Sequence, residues 1–399
     1  MVRVDFRSQM GFEGLEDRRL LACDLPDFQE PVGVLSSTAL SSAQRQALVS
    51  GLSQFSDWTQ TLAANGDTAA PLAGLGVNLA QLIDPRSLLQ SKLISPLGAS
   101  TAGTTDQFIT ALLGLSSTSG GVTISVDPAK VHGGLLTSAQ GNELQFHLQF
   151  DASSTKSQPL DFSSAANLGL EFDPPATIPV TSTLRFEFTF GIDLRPGLTA
   201  DQAFFVRVNT LELGATATAS NMNAGAQVGM LDVQVQGGSI DLAAKVDVGI
   251  FNPDGDSKGN ITTAELRFAA AAGIVCSGPT ASSFTAHLPL SATLGSQTIA
   301  GAPLVDLSAN AFQADTMQVA GNAGFQELRY FNAVSPASLG SILERIGQSL
   351  DAFSNTWDVN SSLGGLPYTS TKISDVVQMD TYFAGISRRL YDPTLVASS

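Results

Sequence analysis

From Gly121 to about Asn332 the chain alternates apolar and polar residues, and a period of two fits strands rather than helices. The runs "GVTISVD", "NELQFHLQFD", "TLRFEFTFGIDL", "AFFVRVNTLELGATATA", "AQVGMLDVQVQ" and "SIDLAAKVDVGIF" all carry this pattern. In "TLRFEFTF", Leu184, Phe186, Phe188 and Phe190 fall on one face, and Arg185, Glu187 and Thr189 on the other. Turn signals at Gly237-Gly238 and Asn252-Pro253 separate several runs. The pattern predicts a long antiparallel sheet with one apolar and one wet face. Strands do not alternate with long helices, which argues against a doubly wound α/β fold.

Helical periodicity appears on both sides of this region. Ser41 or Ser42 can cap a helix whose stripe is Leu48, Leu52, Phe55, Thr59 and Leu62. "LAQLIDPRSLLQSKLISPL" gives short helical pieces interrupted at Pro85. Thr105 is the expected cap of a helix with Phe108, Ile109, Leu112 and Leu113 as its apolar face. Ser335-Pro336 starts another, with Leu339, Ile342, Leu343, Ile346, Leu350 and Phe353 as a stripe to be buried. A last helix spans roughly 373–390. The predicted fold class is mainly β with amphipathic helices at both ends, α+β overall. The expected organisation is a targeting segment and linker over 1–38, outside the folded unit, and a helical segment over 39–117. A β-rich domain over 118–334 and a C-terminal helical segment over 335–399 complete it.

The two helical ends resemble each other. "GLSQFSDW" (Gly51–Trp58) parallels "QSLDAFSNTW" (Gln348–Trp357), and "QSKLISPL" (Gln90–Leu97) parallels "SRRLYDPTL" (Ser387–Leu395). Both matches keep an offset of about 297 residues, which suits a long internal repeat; a matched helical pair packed together is the alternative.

Composition narrows the function classes. Charged residues are only 14% and the net charge is −16, so no basic stripe is offered to phosphates and nucleic acid is not an expected partner. Cys23 and Cys276 form no CxxC pattern, which indicates neither a disulfide framework nor a zinc site. No window of about 20 apolar residues is present, so no transmembrane helix is expected.

One stretch has metal-ligand spacing. "DGDSKGNITTAE", Asp254 to Glu265, resembles the twelve-residue EF-hand calcium loop. Asp254, Asp256, Asn260, Thr262 and Glu265 are the expected Ca²⁺ ligands, with Gly259 at the sharp turn and Ile261 at the aliphatic place. Lys258 departs from the pattern, because an ammonium donates and cannot ligate a cation. The preceding "VDVGIF" also reads as strand rather than helix. Affinity no tighter than about 10⁻⁴–10⁻³ M is expected.

Catalytic patterns are weak. His132, His147 and His287 stand isolated in sequence, and His147 in "QFHLQF" reads as a strand residue. Ser153-Ser154-Thr155-Lys156 satisfies S-x-x-K without the helical setting that chemistry needs. There is no G-x-S-x-G, H-E-x-x-H or P-loop, and the expectation is a non-enzyme.

The N-terminal "FEGLEDRRLLACD" resembles the LEPR-XLL segment of large exported proteins of planctomycete-type bacteria. Phe12, Glu13, Leu15, Glu16, Arg18, Leu20, Leu21 and Asp24 carry the likeness, with Asp17 in place of the family's Pro. Gly191–Gly197 and Asn252–Thr262 resemble segments of the β-rich repeats in giant bacterial surface proteins. These resemblances imply an exported or cell-surface structural or adhesion-type module. Its partners would be surface or extracellular matrix components or neighbouring repeat units. The alternative is a carrier of apolar, lipid-like ligands, with a sheet wrapped round helices. A filled interior favours the first, and a continuous apolar tunnel the second.

Overall fold

A computed structural model describes residues 34–332, apart from 65, 139–140, 163–169, 173–175, 229–230, 251, 253–258, 269–274, 295–296 and 299–301, together with 345–346. The alternating region forms one antiparallel meander. Its path is β1 (Leu35–Ser36), β2 (His132–Ser138), β3 (Gly141–Pro159), β4 (Thr177–Asp193), β5 (Phe204–Val228), β6 (Leu231–Ile250), β7 (Val275–Leu294), β8 (Leu304–Ala309) and β9 (Gln318–Gly321). Each strand pairs with the next. Five short strands attach at the sides, to make fourteen among the described residues. The fold is mainly β within an α+β architecture, as the periodicity predicts.

The apolar face is covered by the helices that precede the sheet. Ser41 caps α1 (Ser42–Trp58) in a reciprocal capping box with Gln44, which satisfies donors that a helix start leaves open. Leu48, Leu52 and Phe55 of the predicted stripe are buried. Phe55 stacks on Trp58 at 5.8 Å and on Phe186 of β4 at 5.9 Å. The cap of α2 (Thr105–Leu113) is Thr104, one residue before the expected Thr105. Thr105 is buried instead, and its Oγ1 accepts from the Thr38 backbone N–H at 3.1 Å. Phe108 packs on Phe146 at 4.5 Å. Leu113, expected on the same face, is 38% exposed, because the stripe is narrower than its four residues.

One apolar cluster runs from Leu40 to Leu328, so the helical segment 39–117 and the β-rich region share a core. The chain enters this unit before residue 39: Leu35 and Ser36 pair with Leu136 and Leu135. The rest of the C-terminal stripe lies outside the described residues, but Ile346 is helical and 43% exposed, not buried as the stripe predicts. The two repeat matches and the last helix fall on residues that are also outside the description at their C-terminal ends.

A phase slip in β5 decides which side chains share the polar face. Val206 and Val208 point into the core, and so do Leu211 and Leu213, although their parity differs. Asn209 is the extra residue: Glu187 pairs with Thr210 and Phe188 with Val208. This bulge keeps both apolar pairs inward and places Arg207 and Glu212 on the same outer face.

Candidate functional site

The polar face is exposed at one place and dry at another. Four residues lie in one row across four strands: His132, His147, Thr189 and Arg207 are successive register partners, exposed at the His132 end and dry along the other three. His147 and Thr189 are each 4% exposed, Arg207 6% and the neighbouring Glu143 1%. His147 Nδ1 lies 2.9 Å from Thr189 Oγ1, and His147 Nε2 faces Glu187 Oε1 at 3.2 Å. A carboxylate only accepts, so a neutral ring carries its proton on Nε2 and leaves Nδ1 to accept from the Thr189 hydroxyl. Lys130 Nζ shares the same oxygen at 3.0 Å. Arg207 donates through Nη2 to Gln145 Oε1 at 2.8 Å and to Glu143 Oε2 at 3.2 Å. Its guanidinium also lies 5.0 Å from the Phe205 ring centroid.

Gly191 makes this packing feasible. It pairs with Gln145 and Phe205, and a Cβ there would stand 2.7 Å from the Phe205 ring. With no side chain at that place, the Phe205 ring and the Arg207 fork can cross toward β3.

Further along the same strands the face is wet. Arg185 Nε donates to Asp151 Oδ1 at 3.0 Å, and Lys245 Nζ reaches Glu212 Oε1 at 3.0 Å. The hydrogen bond to Asp151 raises the Arg185 pKa above its ordinary value, and the bond to Glu212 raises that of Lys245. A groove of about 460 Å³ lies over this ladder, lined by Ser153, Thr183, Gly214 and the charged residues. Ser153 and Lys156 of the S-x-x-K pattern do not meet. Ser153 lines the outer groove, whereas Lys156 Nζ donates to the Leu82 carbonyl under the helices at 3.2 Å. Residues three apart in a strand point to opposite faces.

Of the expected calcium ligands, Asp254 and Asp256 lie outside the described residues, as does Lys258. The second half of the loop is described. Gly259 has φ +65°, the left-handed turn that the sixth place requires. Ile261 is buried and pairs with Val206, and Thr262 pairs with Phe205. Thr262 caps α3 (Thr263–Phe268), accepting from the Glu265 N–H at 3.3 Å. Glu265 Oε2 in return accepts from the Thr262 N–H at 2.6 Å and from its hydroxyl at 2.7 Å. The segment from Thr262 to Glu265 is therefore a capping box. Asn260 is buried beside it. Among the described residues no three His, Cys, Asp or Glu side chains converge in a metal-holding group.

The histidines are not isolated in space. His132 stacks on His147 at 4.8 Å, and His287 Nδ1 lies 2.6 Å from Asp306 Oδ1 on the exposed face. The pairing of Ser138 with Gly141 fixes the register that sets His132 opposite His147. Neither a family model, nor a curated protein, nor a solved structure matches this chain.

Proposed function

We propose that the chain is a non-enzymatic, exported structural or adhesion-type module of a bacterial surface protein, stabilised by calcium. The observation that carries this reading is the occupied interior. The space between the helices and the Phe-rich strands, where a carrier needs its tunnel, is filled by Phe55, Phe108, Phe146, Phe186, Phe188 and Phe190, all at most 2% exposed. The open groove lies on the polar face instead. Among the described residues no helix is long and apolar enough to cross a membrane. The charged N-terminal motif supports export, and neighbouring repeat units or surface components are the proposed partners.

The donors around Glu265 fit a calcium ion in part. Gly259 supplies the turn, and Asp254, Asp256, Asn260, Thr262 and Glu265 would hold the ion, while Lys258 weakens the site. Glu265→Gln separates ligand from cap, because Gln also serves a capping box but offers no bidentate carboxylate. In chelator the variant should melt with the wild type. About 10 mM calcium, above the affinity range of such loops, should raise the melting temperature of the wild type alone. An equal calcium shift in both would remove the ion from this loop. Saturable uptake of a fatty acid by the purified chain would favour the carrier reading.

A further inference from the structure

The buried hydroxyl of Thr189 and imidazole of His147 stand in relay with the partly exposed Glu187 carboxylate, next to the Gln145 carboxamide, whose oxygen is held by a guanidinium. We propose that Thr189 and Gln145 join through an ester bond that covalently staples β4 to β3, with release of ammonia. The reading does not depend on calcium or on export.

Thr189 stands between His147 on β3 and Arg207 on β5, directly in register with both. Gln145 is two residues before His147, which makes it the diagonal neighbour of Thr189 on the same face. Diagonal side chains of that length are within reach of one another. Gly191, opposite Gln145, leaves no side chain between them. With its proton on Nε2 toward Glu187, His147 presents Nδ1 to the Thr189 hydroxyl at 2.9 Å, the arrangement that activates a hydroxyl nucleophile. Arg207 holds Gln145 Oε1 at 2.8 Å, where negative charge develops when the carbonyl is attacked. Glu143 also touches Arg207, but a carboxylate resists attack and has no amine to release.

The step balances within the chain. Thr189 Oγ1 forms a bond to Gln145 Cδ while its proton passes to His147. The oxyanion is held by Arg207. The Cδ–N bond then breaks, His147 returns the proton to the leaving nitrogen, and ammonia departs. No oxidant or further reactant is needed. The nucleophile and its base, Thr189 and His147, are buried, and the Gln145 carboxamide is half-buried. Glu187 is a positioning residue: it fixes the imidazole with Nδ1 toward Thr189.

Intact-mass measurement of the full chain in denaturant tests this directly. The wild type should be lighter than its sequence by one ammonia, and proteolysis should yield a linked pair of peptides containing Gln145 and Thr189. Thr189→Ser should keep the loss. Thr189→Val and Gln145→Glu should each show the full mass of their own sequence. Glu187→Gln should slow the appearance of the linked species after synthesis, and an unchanged rate would remove Glu187 from the mechanism. A wild-type chain at full sequence mass overturns the proposal, as does an ammonia loss that persists in Thr189→Val. The wild-type readout does not rely on any variant folding.

Discussion

On β3, β4 and β5 the polar face carries two charged clusters a few residues apart. Glu143, His147, Thr189 and Arg207 are dry, whereas Asp151, Arg185 and Glu212 stand in or near solvent. Both clusters come from the same alternation, and both satisfy their charges by cross-strand pairing. Their energetics differ because of solvent. A buried pair must offset the desolvation of both ions, and removing one partner strands the other. An exposed pair has water as a substitute. Cross-strand chemistry alone therefore does not say what a pair contributes. Its surroundings do.

The largest difference should come from the two arginines. Arg207→Ala leaves Glu143 buried without its guanidinium and should cost about 3–5 kcal/mol in denaturant unfolding. Arg185→Ala, made at an exposed pair, should cost about 0–1 kcal/mol, and high salt should shrink that further. Equal costs would break the comparison. The smallest effect is a pH dependence at Lys245. Its pKa is raised in the folded state, by Glu212 first, so its contribution favours folding below the ordinary lysine value of about 10.4. That contribution should fade as pH rises through the folded value. The stability gap between wild type and Lys245→Met, followed by chemical unfolding, should stay flat near neutral pH and close only in alkali.

Much of the helical layer was legible. Ser41 caps α1 and Leu48, Leu52 and Phe55 are its buried stripe, because a cap and an i, i+4 pattern are local properties. The register between elements was not. Thr104 takes the cap expected of Thr105 because Thr105 is drawn into contact with Thr38, 67 residues away. The candidate site was legible only in pieces. The loop at Glu265 was visible as a calcium pattern, yet Thr262-Thr263-Ala264-Glu265 is also a capping box, and both readings fit one spacing. The Thr189 row was invisible, since its members come from separate strands and each alone is an ordinary polar strand residue.

The sequence by itself determined the strands, their apolar face and the helices before them, since periodicity and capping depend on neighbours within a few residues. Even the phase slip at Asn209 is written in the spacing of Val208 and Leu211. Only the tertiary structure decided that Thr189 is dry while Arg185 is wet. A period of two assigns a side chain to a face, but burial depends on what else covers that face, and this is set by residues far away in the chain.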